Sequence, residues 1–295
     1  MAHEGRTRIL VLSVIGLLLV STASVVGIVL DDGGDPYQVT SLRGQAVGIY
    51  GGHGLYRSDS VAKAVAFRGF DWANLAVCVP LCVLGILLYR RGRLRGQLIL
   101  AAVFTYLAYN YLIGVMGNAF NGMFLVWTAL FSTGAFGAAL TLASIDTPSL
   151  PERLGARFPR KSLAVYMLVL AFALLSQYLT QVLAAYATGQ PPALLETYTT
   201  LELAALELGI MVPLHVVGAV LLWQRQAWGY LIAIPLAFAA AMTFLALSVG
   251  QVLLHLSFAR ENVAGIVLMI AFALVASALS FLAFQRVEIA LIERQ

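Results

Sequence analysis

Hydrophobic residues run along this chain in long unbroken stretches, unlike the short alternating or one-faced patterns of a soluble fold. Stretches long enough to cross a hydrocarbon layer of roughly 30 Å cover residues 8–30, 71–89, 98–117, 123–144, 163–187, 206–223, 229–256 and 265–284. They predict an all-α integral membrane protein with eight transmembrane helices. The first stretch follows Arg6 and Arg8 and leads to small residues, as a secretory signal would, but its apolar part exceeds the ~7–15 residues of a signal core. It is read as a retained helix.

Residues 31–70 are the largest piece between spans. Asp31-Asp32-Gly33-Gly34-Asp35-Pro36 is turn-rich, and Gln38–Leu42 and Gln45–Tyr50 flank Arg43-Gly44 in a pattern that predicts a small β-like hairpin. Gly51-Gly52-His53-Gly54 reads as a loop. Val61–Phe67 reads as a short interfacial helix capped by Ser58 or Asp59. A second loop on the same side, 188–205, contains Pro191-Pro192.

Sliding the chain against itself by 133 residues lays Val79-Pro80-Leu81-Cys82-Val83-Leu84-Gly85 over Val212-Pro213-Leu214-His215-Val216-Val217-Gly218, and about twelve of forty positions match without a gap. The copies share one orientation, which predicts two parallel four-helix repeats (4+4). Residues 1–145 carry the first repeat, 146–162 a basic linker and 163–295 the second. Pro80 and Pro213 each remove a helical hydrogen bond and free a carbonyl near Ala76 and Gly209. Such prolines either shape packing or frame a central site.

Composition agrees with the pattern: 61% of residues are hydrophobic and 11% charged, against roughly a quarter charged in a soluble domain. Mean hydropathy is +0.89, so the surface faces lipid. The net charge of +4 comes from arginines at span ends, which is a topology signal and no nucleic-acid footprint. One side collects Arg6, Arg8, Arg90, Arg91, Arg93, Arg95, Arg153, Arg157, Arg160, Lys161, Arg225, Arg286 and Arg294. The other holds Asp31, Asp32, Asp35, Asp59, Glu196, Glu202 and Glu261. The basic side is therefore assigned to the cytoplasm, with both termini there, in a multi-pass plasma-membrane protein. Arginine in excess of lysine suggests a prokaryotic one.

Three sets of residues could carry chemistry. Cys78 and Cys82 lie under Met211 and His215 in the repeat, each pair four apart on one helical face. If both faces met, four soft or borderline donors would suit copper(I), with haem less favoured; otherwise they are ordinary apolar filler. Glu207 and His215 share the sixth span and could pass protons if both are buried. The third set comprises Gln177 and Gln181, Tyr106, Tyr109 and Asn110, and Gln251 with His255. These suit either interhelical hydrogen bonds or a polar path for a solute or head group.

No Walker loop, dinucleotide fingerprint, H-E-x-x-H, C-x-x-C or G-x-S-x-G motif occurs, which argues against an ATP-driven pump or a membrane metalloprotease. Three expectations stand: binding or transport of a small solute, ion or lipid between the repeats; an accessory or scaffold subunit with a membrane-protein partner or a second copy; and a metal-handling or redox protein.

Overall fold

In the computed structural model the chain is described over residues 2–258 and 263–287, with side chains from Glu4 onward. The expectations for Glu261 and Arg294 lie outside the described residues. Among those residues, eight helices are long and apolar enough to cross a membrane. They are α1 (Ala2–Val29), α2–α3 (Val61–Ala73 and Val79–Arg90, joined by a π-turn), α4 (Leu94–Gly117) and α5 (Phe124–Ala143). After a short α6 (Leu150–Leu154) come α7 (Arg160–Thr188), α8–α9 (Glu202–Leu206 and Val212–Trp223, joined by a second π-turn), α10 (Ala227–Phe258) and α11 (Val263–Arg286).

The second span differs from its sequence reading. Val61–Phe67 is no separate interfacial helix but the first turns of α2, which continues to Arg90 with only the π-turn between. Its cap is Ser60, one or two residues beyond the expected Asp59 or Ser58, with its side chain accepting from Lys63 N. Ser60 satisfies a free N–H of the first turn. The span thereby gains ten residues over the predicted start at 71.

Each proline lies just beyond a π-turn, Asn74–Cys78 before Pro80 and Glu207–Met211 before Pro213. Val79 N bonds to Asn74 O and Val212 N to Glu207 O, five residues back. A proline has no N–H and its ring crowds the carbonyl four residues earlier. Widening the helix by one residue gives that carbonyl room and lets the helix continue.

The long helices α4 and α10 are the most buried and pack on each other. Each also reaches across the chain: α10 packs along α2, and α4 touches α8. Small residues permit this approach, since a methyl group on Gly69 would overlap the Ala246 carbonyl and one on Gly250 would lie 2.8 Å from Val65 O. On the side of the chain opposite the hairpin, arginines cap helix ends. Arg6 donates to the carbonyls of Tyr89 and Arg90 at the end of α3, Arg160 to those of Leu222 and Trp223 at the end of α9, and Arg95 to Val287 O at 2.9 Å. The 146–162 segment is more than a basic linker, because Leu150, Leu154 and Phe158 are buried in the second core cluster.

On the opposite side, β1 (Tyr37–Thr40) and β2 (Ala46–Ile49) form the expected antiparallel hairpin, Tyr37 opposite Ile49 and Thr40 opposite Ala46. Arg43 in its turn donates to the carbonyls of Tyr198 and Thr199, both at 3.2 Å, and Gln45 Nε2 to Pro191 O at 3.3 Å. The hairpin thus docks on the second loop. Lys63 fixes the same junction, with Nζ 2.6 Å from Glu202 Oε1, bonded to Gly117 O and 3.3 Å from the Tyr198 ring centre.

Candidate functional site

Both π-turns place a polar residue at their first position, Asn74 and Glu207, and α4 supplies each with a tyrosine hydroxyl. Tyr106 donates to Asn74 Oδ1 at 2.7 Å, and Tyr109 donates to Glu207 Oε1 in a close contact. Tyr106 and Tyr109 are nearly one turn apart, so one helix serves both turns. Glu207 is 4% exposed, so its carboxyl is enclosed by the protein. The second π-turn also packs against α7, which carries the buried Tyr178.

Around Asn74 the polar groups close into a network. Its Nδ2 donates to Ser24 Oγ at 3.0 Å and to Tyr111 OH at 3.3 Å. One turn earlier, Asp71 is 4% exposed and accepts from Tyr56 OH at 2.6 Å. Asp71 was missed by the sequence reading because it stood at the expected start of a helix; ten residues inside the helix, it is buried among Phe67, Phe70, Trp127 and the tyrosines. The Asp71/Asn74 spacing of three, which puts both on one face, was the available signal.

Neither Asp71 nor Glu207 forms an ion pair among the described residues, although Arg68 stands near Asp71. The ion pairs among the described residues are Lys63–Glu202 and Arg68–Asp31. A carboxyl buried inside a membrane bundle with only hydroxyl partners can take up and release a proton, or accept a cationic group, at modest rearrangement. On α4, Asn110 is 1% exposed and its Oδ1 has no hydrogen-bond partner among the described residues; Thr243 Oγ1, 133 residues further on (243 − 110) and on α10, is likewise buried and unpartnered among them. Both lie about 24 Å along their helices from the basic end. Buried polar atoms without partners are rare enough in folded proteins to mark a place for a ligand or water.

The soft-ligand set does not assemble as expected. Cys82 Sγ points to Ser13 O of α1 at 3.8 Å, while His215 Nδ1 bonds to Met211 O of its own helix at 2.7 Å. Cys78 and Cys82 are buried and free, and among the described residues no three His, Cys, Asp or Glu side chains converge for a metal. The reason is packing: α3 lies against α1 and α4, whereas α9 lies against α7 and α10. Nor do Glu207 and His215 meet, since they stand eight residues apart, about 12 Å along the helix. Gln177 and His255 are exposed, Gln181 and Gln251 half-buried, and none of the four side chains forms a hydrogen bond with the described residues.

Above the helices a second polar junction ties three segments together. Asp59, 1% exposed, accepts from Ala119 N at 2.7 Å and more weakly from Tyr198 OH at 3.5 Å. Burial pushes its carboxyl up to about 6 despite the nearby Lys63. Arg68 pairs with Asp31 at 2.5 Å and donates to Tyr50 OH at 2.7 Å. Tyr50 in turn donates to Asp31 at 2.8 Å, and burial raises its own pKa. This junction closes the hairpin side of the bundle over the buried tyrosines. No protein-family model, curated protein or solved structure matches the chain.

Proposed function

We propose that the protein is a membrane-embedded carrier whose binding site lies between two parallel four-helix repeats, with Glu207 as the group that exchanges a proton or holds the cationic part of a small solute. The observation that carries this reading is the buried Glu207 carboxyl, held by Tyr109 of α4 and without an ion-pair partner among the described residues. The unpartnered Asn110 and Thr243 atoms supply further polar contacts for a solute.

The repeat reading draws support from the register of the elements. The π-turns begin 133 residues apart (207 − 74), as do α3 and α9 (212 − 79) and α4 and α10 (227 − 94). Gly96 and Gly229 each abut the end of the preceding helix, and Gly92 and Arg225, again 133 apart, each take a positive φ in the turn that follows it. Arg6 and Arg160 cap equivalent carbonyls. In this reading the basic side is cytoplasmic, in the plasma membrane, as the excess of arginine there implies.

The test is reconstitution of the chain alone into liposomes holding a trapped pH-sensitive dye, followed by addition of a panel of amines, amino acids and organic acids. A solute-dependent pH change that falls at least tenfold in Glu207→Gln supports the reading. Flux unchanged in that variant, or no response to any solute under an imposed gradient, counts against it.

A second reading, an accessory subunit of a membrane complex, is favoured by Gln177. It is exposed on α7 about 26 Å from the basic end, with exposed Thr180 beside it, and polar side chains facing lipid are ordinarily met by a neighbouring helix. Stoichiometric co-purification of one partner, lost in Gln177→Leu, would favour this reading over the carrier.

A further inference from the structure

On the basic side, α1 and α5 leave between them an open groove of about 580 Å³, lined by Glu4, Thr7, Arg8, Val11 and Leu12 of α1 and by Leu140 of α5. The α1 residues follow the spacing of one helical face, at i, i+3, i+4, i+7 and i+8. The groove is therefore polar along its first turn and apolar along the next. Its walls continue into lipid-facing Val14, Leu18 and Phe136, which are 46%, 62% and 66% exposed. Neither Glu4 nor Arg8 is in an ion pair among the described residues, although side chains four apart on a helix lie close enough to form one. Arg6, two residues before Arg8 and turned elsewhere, is instead engaged with the end of α3.

We propose that this groove binds phosphatidylethanolamine from the surrounding leaflet, its phosphate on Arg8, its primary ammonium on Glu4 and one acyl chain along Val11, Leu12 and Leu140. The charges decide the choice of lipid. A guanidinium matches a phosphate through paired N–H donors, and a carboxylate accepts N–H bonds from a primary ammonium. A choline head group has no N–H to give, and a head group with only negative charge would meet Glu4 unfavourably. The start of the long apolar run at Ile9 places the charged pair at head-group level, where basic pockets between helices hold lipid head groups.

The test is native mass spectrometry of the detergent-purified chain titrated separately with dioleoyl-phosphatidylethanolamine, -phosphatidylcholine and -phosphatidylglycerol. The ethanolamine lipid should bind about fivefold or more tightly than either of the others. Glu4→Gln should erase its advantage over the choline lipid, and Arg8→Gln should weaken all three. Both residues are exposed, so both variants should melt like the parent. Leu140→Trp, which fills the apolar end, should lower lipid occupancy with both charges intact. Equal binding of the three lipids, a preference for the glycerol lipid, or an ethanolamine preference that survives Glu4→Gln would overturn the proposal.

Discussion

Replacing Gly69 by Ala tests whether the close crossing of α2 and α10 holds the bundle together. In an ordinary helix this change adds about 1 kcal/mol of stability, because alanine loses less conformational freedom than glycine. Here the new methyl would overlap the carbonyl oxygen of Ala246 and lie 2.6 Å from Gly250 N and 3.0 Å from Gly250 Cα. These are backbone atoms, which no rotamer change can move. Since ordinary carbon contacts fall at about 3.5–4.0 Å, the two helices must part by roughly 1 Å along a shared buried face. Overpacking of that kind costs about 1–3 kcal/mol and sometimes more, enough to outweigh the propensity gain. The net loss of up to about 2 kcal/mol should lower Tm by up to roughly 8 °C at the 2–4 °C per kcal/mol of a chain this size. Gly209→Ala is the control, because no atom beyond its own stretch of helix lies within 4 Å of its added methyl; it should melt at or above the parent. Thermal unfolding in detergent, followed by tryptophan fluorescence, reads both. If Gly69→Ala is as stable as Gly209→Ala, the crossing is not as described.

Four further outcomes are expected. Lys63→Met leaves Glu202 and the Gly117 carbonyl without their shared donor and should cost about 2–3 kcal/mol, while a cycle with Glu202→Gln should show coupling above about 1 kcal/mol; additive single effects would show that the pair does not interact. Asp59, held near 6 in the folded chain against about 3.9 when unfolded, binds its proton more tightly folded. Its stabilising contribution, on the order of 3 kcal/mol, is therefore complete below about pH 4 and is lost as pH rises through 6. Tm should fall over that window, and Asp59→Asn should flatten the curve; an unchanged slope would place the titration elsewhere. Tyr109→Phe removes the hydroxyl bonded to Glu207 and should lower stability by about 1–3 kcal/mol, with Glu207→Leu restoring part of the loss in the double variant. Arg225 holds φ at +60° where its counterpart is Gly92; Arg225→Gly should raise Tm slightly, by up to about 1 kcal/mol in stability, and a clear fall would mean that its side chain matters more than its backbone.

Span number and the hairpin were readable because each rests on local pattern: a run of apolar residues has one stable solution in lipid, and Arg43-Gly44 between two short alternating stretches has few alternatives to a turn. Helix starts were less readable. Polar residues such as Lys63, Arg68 and Asp71 interrupt the apolar run, and only their partners on the second loop, on Tyr50 and on Tyr56 make a helix possible there. Those partners lie in other segments, which no local pattern reports. Glu207 and Tyr109 were both singled out from the sequence, but their contact was not, because it depends on which face of α4 meets α8. The reading of Cys78, Cys82, Met211 and His215 as one set failed for the same reason. Matching depth on two helices does not place them side by side. The π-turns were foreshadowed by the prolines, yet a proline alone leaves a kink and a widened turn equally open.

The reach of α4 to α8 and of α10 to α2 also sets an order of events during synthesis. α4 is complete at Gly117 and α10 only at Phe258, 141 residues later (258 − 117). At about 5–20 residues per second, the first half waits roughly 7–28 s in the bilayer before its packing partner is made. For that interval the Gly69 face of α2 lacks its α10 partner, while the Tyr109 hydroxyl of α4 waits for the shorter stretch of 90 residues until Glu207 is made (207 − 117). Insertion and folding of this chain are thus separate stages, and a nascent chain stalled between α5 and α10 presents the surface that membrane chaperones and quality-control proteases would engage.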